Sequence, residues 1–349
     1  MDLGAVRANV GTLRGLLPAA TRLIAVVKAD GYGHGARPIG RSALAAGAWG
    51  LAVVTLAEAH EVRDLVAPER ILVMGPVLPA DAAEAVAGGY AVGCSTVALA
   101  KTLELAAGDR RVPVHLKLDT GMGRYGAQPA EFEEMVRLVR GSGRLELAGI
   151  WSHLASSDSD PAFTRTQHDR FMAVTEGLPG IRHLANSGGV LAHPEMALDA
   201  VRVGIALYGC GDARVRPVLA LRARVAHLKS VDTGTPIGYG TTWRAPAPSR
   251  IATLAIGYAD GIHRARSGRG EILLHGRRVP LVGLVSMDSI TVDATALPEV
   301  EVGDAGTLIG TDGEETIRAE EVAAWSDTIS YEVLTSIGRR VERVYHASD

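Results

Sequence analysis

Short apolar runs recur along the first two-thirds of the chain, separated by polar and alanine-rich segments. Eight runs rich in Val, Ile and Leu are predicted to be strands: 23–27, 50–54, 71–75, 90–94, 112–118, 145–151, 181–185 and 198–204. The intervening segments, most clearly 55–66 and 129–140, have apolar residues at helical spacing. Continuous apolar strands that alternate with helices predict a parallel sheet buried on both faces.

The number of strand–helix units favours a closed barrel. Eight units in roughly 210 residues match a (β/α)8, or TIM, barrel, although a doubly wound open sheet is an alternative that strand counting does not exclude. Beyond about residue 220, short β-rich runs follow one another with Gly, Pro and Asp turns. We therefore predict an α/β chain with an N-terminal TIM barrel, residues 1–220, followed by a mostly-β domain, residues 221–349.

Bulk properties narrow the class of protein. A length of 349 residues favours two domains, and a net charge of -3 gives no sign of a nucleic-acid or membrane-surface partner. The two cysteines, Cys94 and Cys210, are too few for a disulfide framework and are not spaced as a metal site. The N-terminus does not resemble a signal peptide, and no apolar run is long enough to cross a bilayer. We expect a soluble, cytoplasmic protein without a metal.

Polar and ionisable residues stand where the predicted strands end. In a TIM barrel the C-terminal ends of the strands meet at one mouth, where the chemistry takes place. Taken singly, a lysine that closes a strand is usually solvated, and a lone histidine is usually a hydrogen-bonded core residue. Their convergence favours an active site made from Lys28, Lys117, Asp119, Arg124, His153, Asn186, Ser187 and Arg202.

The loops after the seventh and eighth strands suggest what the mouth binds. Such loops commonly hold phosphate through backbone N–H groups, and the sequences at 186–189 (NSGG) and 204–206 (GIA) supply a hydroxyl and small residues. A phosphate ligand beside a buried lysine indicates an aldehyde cofactor bonded to that lysine. Pyridoxal phosphate fits these requirements best.

Several segments together resemble one family, the alanine racemases. The segment VVKADGYGHG (26–35) is similar to that family's cofactor-lysine signature. The other matching segments keep the family's order: LKLDTGMGRYG (116–126), WSHLA (151–155), NSGG (186–189), VRVGIALYG (201–209), IGYGTTW (237–243), GYADG (257–261), SMDSI (286–290) and SYEVL (330–334). Because both predicted domains contribute, the resemblance covers essentially the whole chain.

The resemblance implies roles for the residues at the barrel mouth. Lys28 would bond to pyridoxal phosphate, Arg202 would donate a hydrogen bond to its pyridine nitrogen, and Arg124 would contact its phenolic oxygen and the substrate carboxylate. Lys117 is the position that the family often carbamylates, which would orient Arg124. The phosphate would be held by the remaining matched residues: the hydroxyls of Tyr32, Ser187 and Tyr331, the backbone N–H groups of Gly204 and Ile205, and Asn186 beside them.

The family resemblance also implies a two-base mechanism. Racemisation removes a proton from one face of the α-carbon and returns it to the other, so Lys28 would serve one face and Tyr239 the other. A tyrosine with an ordinary pKa near about 10 needs help to act as a base, and His153, linked to Arg202, is the expected partner. Three further residues would line the substrate site: Tyr258, Met287 and Asp288.

In this family the second domain reaches across to a partner's barrel, so the resemblance implies a homodimer with shared active sites. The family usually has a β-strand ahead of the segment matched by 2–10. Here Met1 nearly coincides with that segment, so we expect the strand to be missing: either the start is truncated or the second domain manages without the strand, which would leave a sheet edge exposed.

Three alternatives remain at the level of function. A racemase for serine or for several amino acids would share these residues, although Tyr239 and Tyr331 narrow the substrate space and favour alanine. A non-catalytic pyridoxal-phosphate-binding protein would lack the second domain and its tyrosine. A decarboxylase of the same architecture would want a cysteine opposite the lysine, and no cysteine follows Cys210.

Overall fold

The first compact unit is a closed barrel. In a computed structural model, which describes residues 1–348, this unit comprises Leu3–Arg216 together with Ser348. Its strands are β1 (Arg22–Val26), β2 (Gly50–Val53), β3 (Ile71–Val73), β4 (Ala91–Cys94), β5 (Val112–Lys117), β6 (Leu145–Trp151), β7 (Ile181–His183) and β8 (Ala200–Val203). All neighbouring strands pair in parallel, and β8 pairs with β1 to close the ring. The predicted TIM barrel is confirmed, and the open-sheet alternative is excluded.

Helices connect the barrel strands. They are α1 (Leu3–Gly15), α2 (Lys28–Tyr32), α3 (Ala36–Ala45), α4 (Leu56–Val62), α5 (Ala82–Gly88), α6 (Val97–Ala106), α7 (Pro129–Gly141), α8 (Pro161–Thr175) and α9 (Ser187–Ala192). Local signals set their starts: Thr55 caps α4 in a reciprocal capping box with Glu58, and proline opens both α7 and α8. The helix predicted over 55–66 is therefore shorter in the structure, whereas the one predicted over 129–140 extends one residue further.

Part of the barrel interior is polar instead of branched aliphatic. TIM barrels usually fill this space with Val, Ile and Leu. Here, side chains alternate along β5 so that His115 and Lys117 share one face, and both are buried. His183 of β7 and Arg202 of β8 are likewise buried. Buried polar groups of this kind are stable only with hydrogen-bond partners, so the interior of this barrel is built as a polar network.

The second compact unit comprises Pro217–Ala347 with Met1 and Asp2, and it is mostly β. Its strands are β9 (Leu221–Val231), β10 (Pro236–Ile237), β11 (Trp243–Arg244), β12 (Ser249–Leu254), β13 (Glu271–Leu274), β14 (Arg277–Val282), β15 (Ile290–Asp293), β16 (Ala305–Asp312) and β17 (Glu315–Ile317), and its helices are α10 (Ala319–Trp325) and α11 (Ser330–Ser336). Seven strands form an antiparallel sheet in the order β13-β14-β15-β12-β9-β16-β17. The predicted mostly-β character is confirmed.

The start of the chain lies along this second unit. Asp2 forms an isolated parallel bridge with His346, and its backbone N–H donates to the carbonyl of Val218 at 2.8 Å. The exposed sheet edge that the family resemblance implies for the second domain stays a prediction. Among residues 1–348 there is no helix with the length and apolar character needed to span a membrane.

Candidate active site

Lys28 lies directly beyond β1, at the C-terminal mouth of the barrel. It opens α2, which is a left-handed turn and not a regular α-helix, because Ala29, Asp30, Gly31 and Tyr32 all have φ between 51° and 60°. Three of these residues are not glycine, and such a conformation costs each about 1–2 kcal/mol. Although the segment is rich in glycine, three of the four residues in this strained conformation are Ala29, Asp30 and Tyr32.

Specific hydrogen bonds hold the turn after Lys28. The backbone N–H of Ala29 donates to the Glu58 carboxylate at 2.7 Å, and that of Ala36 donates to the Asp30 carboxylate at 2.9 Å. Glu58 also accepts from the backbone of Val54, so the same side chain links the loops after β1 and β2. Lys28 is consequently presented by a turn that is fixed at both ends.

Tyr32, Ser187 and Gly204 form a corner suited to an anion. The Ser187 hydroxyl accepts from the backbone N–H groups of Gly204 at 3.0 Å and Ala206 at 3.2 Å, which leaves its own proton available as a donor. A β-carbon added at Gly204 would lie only 2.5 Å from the Tyr32 hydroxyl. Glycine is therefore needed here so that the tyrosine hydroxyl can approach the backbone that leads into Ile205.

Asp119 builds the turn that carries Arg124. Its carboxylate accepts hydrogen bonds from the backbone N–H groups of three consecutive residues, Gly121, Met122 and Gly123. The Arg124 guanidinium lies 5.9 Å from the centre of the Tyr125 ring, and among the described residues no carboxylate forms an ion pair with this guanidinium. Arg124 is thus exposed and available to an external anion.

Four cations converge on the mouth. Lys28, Lys117, Arg124 and Arg202 influence one another electrostatically, and no carboxylate within residues 1–348 forms an ion pair with any of them. Burial, followed by repulsion from Arg202 and Arg124, lowers the pKa of Lys117 to about 7. Burial, followed by repulsion from Arg124, also lowers the pKa of Lys28. This excess of positive charge fits a ligand that brings phosphate and carboxylate groups.

Arg202 is held from two sides by hydrogen-bond acceptors. Its Nη1 donates to Nδ1 of His183 at 2.8 Å and to the carbonyl of that residue at 2.9 Å. Its Nη2 donates to the Ser152 carbonyl at 2.7 Å and contacts Nδ1 of His153 at 3.2 Å. Burial lowers the pKa of Arg202 to about 9, so the guanidinium keeps its charge at neutral pH. The Nε–H is the one donor without a partner among the described residues.

The contact with Arg202 fixes the proton of His153. A guanidinium only donates hydrogen bonds, so Nδ1 of His153 must accept and its proton must lie on Nε2. Burial lowers the pKa of His153 well below its usual value, and the charge of Arg202 lowers it further. His153 is therefore a neutral residue whose Nε2–H is available as a donor.

Asn186 contributes mainly to local structure. Its Oδ1 accepts from the backbone N–H of Gly189, which caps α9, and from the Ser157 hydroxyl at 2.8 Å. Its Nδ2 donates to the carbonyl of Leu154 at 3.2 Å. These bonds position the neighbouring Ser187 at the start of the helix.

The second unit presents its predicted site residues at its surface. Tyr239 is 74% exposed, and Tyr258, Met287 and Tyr331 are also exposed. Backbone hydrogen bonds link the segments that contain Tyr258 and Met287. The N–H of Tyr258 donates to the carbonyl of Ser286 at 2.9 Å, and the N–H of Ala259 donates to the carbonyl of Met287. Asp288 forms an ion pair with Arg340 at 2.8 Å.

Sequence reasoning missed three residues inside the barrel. His115 and His183 hydrogen-bond to each other, and the Trp151 ring stacks on His183 with an interplanar angle of 6°. The available signal was a single histidine in each of two predicted strands, VPVHLKL and IRHLA. That pattern does not distinguish an isolated core histidine from a member of a network.

Comparisons with known proteins cover almost the entire chain. Residues 1–212 match the family model described as "Alanine racemase, N-terminal domain", and residues 218–345 match "Alanine racemase, C-terminal domain". A relative from Symbiobacterium thermophilum, named alanine racemase, is 41% identical over 99% of this chain and 96% of its own.

Solved structures show the same similarity. The alanine racemase of Streptomyces lavendulae has a TM-score of 0.94 at 36% identity, covering 100% of this chain and 96% of its own. That of Bartonella henselae, a structure with covalently bound pyridoxal phosphate, has a TM-score of 0.91 at 31% identity, covering 99% of this chain and 98% of its own.

Proposed function

The chain belongs to the alanine racemase family, and from that premise we propose that it interconverts L-alanine and D-alanine with pyridoxal phosphate as its cofactor. The observation that carries this proposal is the set of three basic side chains at the barrel mouth, Lys28, Arg124 and Arg202, beside a serine and a tyrosine hydroxyl. This set suits a ligand that bears a phosphate and a substrate that bears a carboxylate. In keeping with the family, we propose that the product serves as a cell-wall precursor.

The residues of the mouth fit pyridoxal phosphate. Lys28 would bond to the cofactor aldehyde, and Arg202 would donate from Nε to the pyridine nitrogen. The phosphate would be held by the hydroxyls of Tyr32, Ser187 and Tyr331 and the backbone N–H groups of Gly204 and Ile205, with Asn186 positioning that corner. When bound, the cofactor delocalises the electron pair left on the α-carbon. An arginine that donates without giving up its proton weakens this delocalisation, which discourages transamination.

We propose that Nζ of Lys28 and Oη of Tyr239 exchange protons with opposite faces of the α-carbon. Burial, followed by repulsion from Arg124, lowers the pKa of Lys28, which favours the neutral amine that can accept a proton. Tyr239 needs a hydrogen-bond donor to stabilise its ionised oxygen, and the Nε2–H of His153 is the donor proposed. Arg124, Tyr258, Met287 and Asp288 would bind and orient the substrate.

We propose that the active form is a homodimer in which Tyr239 of one subunit serves the barrel of the other. The family resemblance supports this arrangement, and so does the exposure of Tyr239. We also propose a cytoplasmic location, because Cys94 and Cys210 are both buried free thiols, as is usual in reducing compartments.

The proposed function is tested by initial rates with separate substrates. The purified protein supplied with pyridoxal phosphate should racemise L-alanine faster than L-serine, because Tyr239 and Tyr331, at the positions that the family resemblance assigns them, would leave little space for a larger side chain. The preference should be modest, since a small apolar pocket rejects an added hydroxyl by only about 100-fold. Faster turnover of serine would instead favour a serine or broad-specificity racemase. No racemisation of either would favour a cofactor-binding protein, which the match to both domain models already disfavours.

Lys117 is expected to carry a carbamate. A carbamate forms only from a neutral amine, and a pKa of about 7 leaves roughly half of the Lys117 side chains neutral at pH 7. Carbamylation should therefore decrease as the pH falls below 7. Enzyme equilibrated with ¹³C-bicarbonate should show one carbamate resonance, and this resonance should be lost in Lys117→Arg.

The same variant should raise the KM for alanine by about 10- to 100-fold, because a charge-assisted bond that orients Arg124 would be lost. The matched control is Lys101→Arg, which changes an exposed lysine on α6. A wild-type sample without the resonance, or a Lys117→Arg enzyme with an unchanged KM, would contradict the prediction.

A further inference from the structure

Three buried side chains form a continuous hydrogen-bonded line through the barrel. Arg202 of β8 donates from Nη1 to Nδ1 of His183 at 2.8 Å, and Nε2 of His183 lies 2.8 Å from Nδ1 of His115 on β5. Arg202 is 2% exposed, His115 is 3% exposed and His183 is fully buried. The line therefore begins at the mouth and runs towards the opposite end of the barrel.

The direction of every hydrogen bond in this line follows from its first member. A guanidinium has no acceptor, so Nδ1 of His183 must accept and the proton of that ring must lie on Nε2. That proton can only be donated to Nδ1 of His115, so the His115 proton also lies on Nε2. A second proton on either ring would place two donors face to face, and burial together with the charge of Arg202 lowers the pKa of both histidines.

The far end of the line reaches a separate cavity. This cavity of about 390 Å³ lies at the N-terminal ends of the barrel strands and is lined by His115 together with Arg22, Trp49, Glu69, Arg111 and Glu146. The His115 ring is accordingly not enclosed in apolar core. His115 instead borders a polar space that is large enough for water, which can accept a hydrogen bond.

The surrounding strands are shaped to hold the two rings. A β-carbon added at Gly149 would lie 2.4 Å from Nδ1 of His115, so β6 carries glycine where the ring must fit. The indole of Trp151 stacks on His183 and donates from Nε1 to the backbone carbonyl of His115 at 3.2 Å. If space filling were the only requirement, an aliphatic residue would serve better than a histidine, because it has no polar atoms to desolvate.

We propose that His115 is a positioning residue for the reaction: by accepting the hydrogen bond that His183 donates from Nε2, it holds the orientation of that ring and thereby the guanidinium of Arg202. The consequence rests on the proposed function, in which Nε of Arg202 meets the cofactor nitrogen. Without the acceptor at His115, the Nε2–H of His183 is buried and unpaired, so the ring tilts towards another acceptor. Nδ1 of His183 would then no longer accept from Nη1 of Arg202. The guanidinium would lose a hydrogen bond on its Nη1 side and keep those of Nη2.

The test compares two substitutions of similar size at His115. Asparagine keeps an oxygen near the position of Nδ1, whereas leucine offers no acceptor. His115→Leu should lower kcat about tenfold with little change in the KM for alanine, as expected for residues that support a site indirectly. His115→Asn should stay within about threefold of wild type. The Tm of each variant is measured alongside, and His115→Ala provides a second acceptor-free variant if the leucine variant does not fold.

Histidine ¹⁵N spectra of the purified protein give a readout that does not depend on activity. In wild type, His183 and His115 should each be neutral with a bare Nδ1 throughout the neutral pH range. A proton on Nδ1 of His183, or equal losses of kcat in His115→Leu and His115→Asn, would overturn the proposal. A protein with these tautomers but no racemase activity would instead refute the proposed function and leave the hydrogen-bonded line intact.

Discussion

Replacing Lys28 with alanine is expected to abolish racemisation in both directions, with a loss of roughly 10³-fold or more, because the variant lacks both the attachment point for the cofactor and one proton carrier. The absorbance band of lysine-bound pyridoxal phosphate should disappear as well. Arg124, Arg202 and the phosphate corner are unchanged in this variant, so residual noncovalent cofactor binding is expected.

Chemical mapping tests the same prediction without mutation. The chain contains four lysines, Lys28, Lys101, Lys117 and Lys229, so borohydride reduction followed by peptide mapping has four candidate products. The cofactor should be found on Lys28. Lys101→Ala is the control, since this lysine is exposed on α6 of the same unit and should leave activity and spectrum unchanged. Label on another lysine would contradict the assignment.

Replacing Tyr239 with phenylalanine is expected to remove proton abstraction from L-alanine while sparing abstraction from D-alanine. The loss in the L direction should be roughly 10²- to 10⁴-fold, the usual contribution of a positioned base. The net rates of both directions fall because each complete turnover uses both bases, so the informative measurement is exchange of the α-proton for deuterium. D-alanine should still exchange through Lys28, whereas L-alanine should not. Exchange that falls equally for both isomers would argue against two separate bases.

Mixing the two inactive variants tests whether the site is shared between subunits. A hybrid dimer of Lys28→Ala and Tyr239→Phe chains has one site that lacks both residues and one that is intact, provided that lysine and tyrosine come from different chains. Random reassociation of equal amounts should then restore about a quarter of wild-type activity. If both residues came from the same chain, every site would lack one of them and the mixture would stay inactive.

The periodic features of the fold could be read from the sequence because burial on both faces demands continuous apolar strands. Runs such as 23–27 and 112–118 mark strands β1 and β5 with few errors at their ends. The same pattern is silent about ring closure, since an open parallel sheet buries its strands equally well. Closure depends on β8 meeting β1, a contact between segments about 180 residues apart in the chain, as in Ala25 paired with Val203.

The candidate site could likewise be predicted from the sequence only in part. Lys28, Arg124 and Ser187 could be proposed from sequence because each stands beside a motif with a distinct turn or strand end. The left-handed turn at Ala29 and Asp30 could not, because glycine is the usual occupant of that conformation and the sequence places its glycines at neighbouring positions.

What the sequence determined by itself is the set of chemical groups: which strands end in a charge, which turns can approach a phosphate, and which tyrosine offers a phenol. What only the tertiary structure decided is the state of those groups. Arg202 selects the tautomer of His183 and His153 because it can only donate, and Lys117 has a pKa near 7 because burial and two guanidinium groups oppose its charge. Both effects depend on distances of a few ångströms between residues far apart in the chain, and short-range sequence patterns contain no such distances.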